Sequence, residues 1–180
     1  MAATVEHLTD PTILVVDFLK ADAMGRTRRY VLDLPALDLD GTLEARDVHA
    51  EFRVVRVGAG LLAEGIVRAS VDLECVRTLE TFPQPVEGEF AEQFRPTVDV
   101  VTGRIIKPAD DEEEEEPETF PISDNHEIDL REPLRQVILV ELPMQPVAPG
   151  TEPVLLDETT PDEASNPFAV LGTLLRDERE

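Results

Sequence analysis

Gly65-Ile-Val-Arg-Ala-Ser-Val-Asp-Leu-Glu-Cys-Val-Arg-Thr-Leu79 carries the clearest periodicity in the chain. Val67, Ala69, Val71, Leu73 and Cys75 alternate with Arg68, Ser70, Asp72 and Glu74. A period of two puts the first set on one face of a β-strand and the second on the other. The same pattern recurs on both sides. Upstream, Val48, Ala50, Phe52 and Val54 alternate with His49, Glu51 and Arg53. Gly58-Ala59-Gly60 then makes a flexible turn before Leu61. Downstream, Leu79 to Pro85 reads as a proline-interrupted connection, and Val86, Gly88 and Phe90 against Glu87 and Glu89 as the returning strand. Earlier in the chain, Thr12 to Leu19 reads as one strand, and Tyr30, Leu32 and Leu34 as a short strand closed by Pro35. Val98 to Val101 is expected to add an edge strand. Strands spaced in this way, with Gly and Pro between them, predict an antiparallel sheet, a meander or an open barrel.

Helical spacing enters late. Leu130, Leu134, Val137, Ile138 and Leu142 form one apolar stripe at i, i+4, i+7, i+8 and i+12. Asp129 and Glu132 resemble a capping box, Pro133 falls in the first turn, and Pro143 ends the helix. A second helix is expected over 167–176, capped by Asn166 with Pro167 first and Phe168, Leu171 and Leu175 on one face. Between sheet and helices lie eight acidic residues in nine positions, Asp110 to Glu118. Their mutual repulsion predicts a disordered insertion. The fold class is therefore α+β. One domain is expected, with a β-rich core over 1–102, an acidic linker over 103–125, and helices plus a proline-rich segment over 126–180 packing on the core.

The net charge of the 180-residue chain is −23, and without the acidic run it is still −15. Such a surface repels phosphate backbones at long range and attracts basic partners, which argues against DNA and general nucleic-acid binding. A single cysteine forms no internal disulfide, and no apolar run reaches the roughly 18–20 residues of a membrane helix. The amino-terminal residues carry no signal-peptide pattern. A cytoplasmic protein that does not contact membranes is expected.

No phosphate-binding glycine loop or nucleophile elbow occurs, and His7, His49 and His126 are scattered without metal-ligand spacing. No enzyme, cofactor or metal site is expected. Cys75 is open to reading as a ligand, a reactive thiol or a buried apolar side chain, and its place on the apolar face favours the last. Arg26, Arg28 and Arg29, on what reads as a loop beside Tyr30, are the local basic cluster. They suit either a solvated surface balancing nearby carboxylates or direct contact with RNA phosphates.

Taken together, these residues resemble the large ribosomal RNA subunit accumulation protein family, the YceD family. The landmarks are Ile13 to Gly25; Gly65 followed by the alternating strand and Cys75-Val76-Arg77-Thr78-Leu79; the acidic stretch leading to Glu127-Ile128-Asp129-Leu130 and Glu141-Leu142-Pro143; and Asn166-Pro167-Phe168 through Leu171 and Leu174. Gly65, Cys75, Arg77 and Leu79 form the core motif. Thr78 stands where the family has a second cysteine. Residues 144–165 contain no Cys or His where many members carry a cysteine-rich segment associated with a metal.

The resemblance implies a non-enzymatic factor in the synthesis, processing or stability of large-subunit ribosomal RNA. The charge favours a basic ribosomal protein or a pre-ribosomal (pre-50S) particle as partner over bare RNA. If RNA is touched, Arg26, Arg28, Arg29 and Arg77 are the candidates, Arg77 having the alternative of pairing with Glu74 or Glu80. The rival readings are an acidic interaction module unrelated to ribosomes and a protein that binds ribosomal RNA directly.

Overall fold

The computed structural model of the protein describes residues 5–20, 25–106 and 119–151. In chain order the elements are β1 (Val5–Leu8), β2 (Thr12–Leu14), α1 (Val16–Leu19), β3 (Thr27–Asp38), β4 (Glu44–Val57), β5 (Gly60–Glu74), β6 (Thr81–Pro96), β7 (Phe120–Ile122), β8 (Glu127–Asp129) and α2 (Arg131–Glu141). The chain divides into two units, Met1–Ala148 and Pro149–Glu180, and all these elements belong to the first. The acidic run and the helix expected over 167–176 lie outside the described residues.

The alternating stretches form the centre of the sheet. β3, β4, β5 and β6 are consecutive antiparallel neighbours of 12 to 16 residues. Val67, Ala69, Val71, Leu73 and Cys75 are all buried, as the pattern requires. Gly58 and Ala59 form the turn between Val57 and Gly60, with Gly58 at φ 55°.

Both edges correct the antiparallel expectation. β1 runs parallel to β3, Val5 opposite Arg29, and β7 runs parallel to β6, Phe94 opposite Phe120. Parallel neighbours need a crossover of a dozen or more residues, and residues 9–26 and 97–119 supply these. Thr12 to Leu19 is likewise not one strand: β2 pairs with β8 in a separate two-stranded sheet, and α1 follows it. Val98 to Val101 contributes one bridge, Val98 to Ile105.

Prolines do not end these strands as expected. β3 continues through Pro35, whose outer edge has no strand partner among the described residues because β1 ends at Leu8, opposite Leu32. Opposite it, Asp47 takes φ 51° at a bulge that shifts the β4–β5 register between Arg46 and His49. Aspartate tolerates this left-handed backbone better than most residues. β6 likewise runs through Pro83 and Pro85, and its register with β5 is unbroken from Phe94 to Thr81.

A row of aromatic rings closes over one glycine. Tyr30, Phe52, Gly65 and Phe90 stand opposite one another on four successive strands. Tyr30 stacks on Phe52 at 5.4 Å between centroids, and Phe52 meets Phe90 at 5.9 Å across Gly65. A β-carbon at residue 65 would lie 2.2 Å from the Glu51 carbonyl oxygen and 2.4 Å from Phe52 Cβ. Only glycine lets β5 approach β4 so closely.

Helix α2 covers the apolar face, burying Leu130, Leu134 and Ile138 completely. It crosses β6 at Gly88, where an added β-carbon would sit 2.6 Å from Val137 Cγ1. The expected capping box does not form. Asp129 instead accepts the Arg131 N–H at 2.9 Å, and Glu132 turns to Arg135 and Gln136. Arg135 also donates to the Leu39 carbonyl at 2.6 Å, fastening the helix to the end of β3.

These donors, Arg135 first and Gln136 next, hold the Glu132 carboxyl at about 2 against its ordinary 4.5. A lowered folded-state value stabilises the fold fully above the ordinary value, and this is lost as pH falls toward 2. Glu132→Gln is expected to lower the melting temperature by about 2–4 °C at pH 7, because the half-exposed pair is screened by water. The gap from wild type should shrink between pH 4.5 and 2. A pH-independent gap in thermal scans would remove the charge from this account.

Candidate functional site

The residues singled out from the sequence fall in two places. Cys75, Arg77 and Leu79 occupy the turn between β5 and β6. Gly65 and the arginines lie at or near the middle of the sheet. Nine residues of β5 separate Gly65 from Cys75, ten steps or about 33 Å at roughly 3.3 Å per residue.

Backbone bonds define the turn. Cys75 donates to the Glu80 carbonyl at 2.9 Å, and Leu79 donates to the Cys75 carbonyl at 2.8 Å. Leu79 has φ 60° and an exposed side chain, an uncommon combination for a branched residue. Val76 donates to the Pro146 carbonyl at 2.9 Å, and the Ala148 N–H reaches Cys75 Sγ at 3.3 Å. The stretch after Pro143 is thereby tied to the core motif. The Ala148 N–H, then the Thr78 hydroxyl, lower the Cys75 thiol to about 6, while its complete burial works the other way. The cysteine is a packed core side chain whose sulfur accepts hydrogen bonds.

The arginines are not one cluster, and only Arg26 lies on a loop. Arg26 immediately precedes β3, and Arg28 and Arg29 lie within it, so alternation turns the last two to opposite faces. Arg26 donates to the Asp17 carbonyl at 2.9 Å. Arg28 sits 5.5 Å over the Phe18 ring, 3.6 Å from Glu6. Both brace α1 against the sheet, and Arg28 also reaches across to β1. Arg29 faces outward and has no ion-pair partner among the described residues.

That outward face is the second candidate surface. A shallow depression of about 600 Å³ lies over the Gly65 row, bordered by Val31, Ile66 and Ala91 and by Arg29, Glu51 and Glu89. Cross-strand pairs surround it: Arg53 with Glu64, Arg68 with Glu51 and Glu87, and Arg46 with Asp72. His49 lies 2.7 Å from Asp33, which with Glu51 raises its pKa. The sequence shows these residues as the polar side of each strand. Only the register shows that Arg53 stands opposite Glu64 and Arg68 opposite Glu87.

With this geometry, the chain matches the family described as large ribosomal RNA subunit accumulation protein YceD over residues 63–175. The chain belongs to the YceD family. The match takes in β5 from Ala63 onward, β6, β7, β8 and α2 and leaves β1 to β4 outside it. Membership gives this YceD protein a ribosome-related role in general terms. No curated protein and no solved structure matches the chain. Among the described residues no helix is long and apolar enough to cross a membrane.

The metal implied for cysteine-rich members does not fit this chain. A metal centre needs several thiolate or imidazole ligands converging at about 2.0–2.3 Å. Here the Cys75 sulfur faces donors, the Ala148 N–H and the Thr78 hydroxyl. Among the described residues no group of three His, Cys, Asp or Glu side chains is placed to share an ion.

Proposed function

We propose that this YceD protein is a non-enzymatic factor that promotes accumulation of large-subunit ribosomal RNA by binding a basic ribosomal protein or a pre-ribosomal particle. The observation that carries the reading is its charge in the context of its family: −23 overall. On the exposed sheet face, Arg46, Arg53 and Arg68 are already occupied by carboxylates. A basic protein meets attraction over this surface, and a bare phosphate chain meets repulsion. Direct RNA contact is the second reading. It rests on Arg29, since Arg26 and Arg28 have contacts within the protein. The cytoplasm is the compartment consistent with such a partner.

A pull-down of the full chain from a cell lysate, with and without nuclease, tests this. Basic large-subunit ribosomal proteins are expected to survive nuclease treatment. Ribosomal RNA recovered only without nuclease, and lost in Arg29→Ala, would favour the second reading. Capture of neither class would sink both.

A further inference from the structure

Among the described residues, the outer edge of β6 is closed at its two ends and open between them. Pro83 and Pro85 are two residues apart, so their nitrogens face the same side. That side points away from β5, since the β5–β6 ladder is continuous. By the same alternation, the N–H and C=O groups of Glu87, Glu89, Ala91 and Gln93 also point outward. At the far end β7 takes only Phe94 to Pro96. The four residues between are exposed, and among the described residues no strand pairs with them on that side. They span about 20 Å at roughly 3.3 Å per residue, enough for a strand of ordinary length. An open row of backbone donors and acceptors is a template for one more strand.

Charge selects the occupant. Glu87 and Glu89 project on the outer face of this edge. On the inner face Glu141 of α2 lies over Gly88, its Cγ 2.9 Å from where a β-carbon would be. Glu87 is shared with Arg68, but Glu89 and Glu141 have no ion-pair partner among the described residues. An arriving strand therefore meets carboxylates on both sides. The same groups oppose a second copy of this chain, whose edge would bring glutamate against glutamate.

We propose that the β6 edge from Glu87 to Gln93 receives an extended lysine- or arginine-rich segment of a partner protein as an added strand. The inference rests on the basic-partner reading above and gives it a place and a mode. Backbone pairing supplies the affinity. Alternation sets the preference, because every second side chain of the added strand falls beside Glu87 and Glu89.

The test uses a fluorescein-labelled synthetic decapeptide alternating lysine with valine, and the same peptide N-methylated at every residue. The second keeps the side chains and charge but has no N–H to donate. By fluorescence anisotropy, the full-length protein is expected to bind the first at least tenfold more tightly. Ala91→Pro should abolish that preference while keeping the wild-type melting temperature within a few degrees, because its nitrogen faces away from β5. Equal affinity for the two peptides, or a preference that survives Ala91→Pro, overturns the proposal. Should Ala91→Pro fail to fold, Glu87→Gln with Glu89→Gln decides: a loss of at least fivefold supports the edge, and no loss overturns it. The probe is synthetic, so an empty lysate pull-down would count against the ribosomal reading alone. Failure here would count against the edge alone.

Discussion

Gly65→Val is expected to yield no cooperatively folded protein at 25 °C. The first atom added, the β-carbon, would lie 2.2 Å from the Glu51 carbonyl oxygen and 2.4 Å from Phe52 Cβ. Neither neighbour can move alone. Glu51 and Phe52 are held in the β4 ladder on both sides, to Val31 and Tyr30 of β3 and to Ile66 and Gly65 of β5. An overpacked core usually costs about 1–3 kcal/mol, relieved by rotating side chains. A clash with backbone has no such relief, so Gly65→Ala is expected to cost about 3 kcal/mol and Gly65→Val more than about 4 kcal/mol. That is a large part of the roughly 5–15 kcal/mol typical of a domain. Urea denaturation followed by far-UV circular dichroism measures it. A Gly65→Ala midpoint equal to wild type would mean that β5 does not approach β4 so closely. The first residue of the family's core motif is thus explained by strand packing, with no ligand invoked.

Much of this architecture is legible in the amino-acid sequence. The alternation from Val67 to Cys75 specifies both the strand and its buried side, because one periodicity satisfies both. The stripe from Leu130 to Leu142 locates α2 to within a residue. What periodicity does not supply is pairing. Val5 to Leu8 has no strong pattern, and its place beside β3 depends on the crossover that follows it. Pro35, Pro83 and Pro85 read as strand breakers because a proline's meaning depends on which edge its missing N–H would face. Edge position is a property of the assembled sheet. The functional surfaces have the same limit. Arg26, Arg28 and Arg29 look like a cluster as letters, yet β3 separates Arg28 from Arg29, and Arg26 turns back to the Asp17 carbonyl. The open stretch of β6 is a tertiary fact of the same kind. Among the described residues it exists because β7 is short and no proline falls between Pro85 and Pro96 of β6.

Leu134→Ala is the second large effect expected, a loss of about 3–4 kcal/mol. Leu134 is completely buried at the centre of the α2 stripe between Leu130 and Ile138. Removing a buried leucine to the β-carbon costs about 2–5 kcal/mol, more where neighbours cannot close the gap. Here they are constrained. The helix is seated over Gly88, fastened by Arg135 to the Leu39 carbonyl, and tied at its start by the Leu130 N–H to the Pro11 carbonyl at 3.0 Å. Val140→Ala on the same helix is the control, since Val140 is 81% exposed and its truncation should change stability by less than about 0.5 kcal/mol. The three tethers also predict how the variant unfolds. The protein has one tyrosine and no tryptophan, so Tyr30 fluorescence reports the β3–β4 packing by itself. If α2 and the sheet share one cooperative core, Tyr30 fluorescence and far-UV circular dichroism will give one urea midpoint, lower than wild type for both signals. A dichroism transition that precedes the tyrosine signal would instead show the helix leaving an intact sheet, with the core able to survive without its cover.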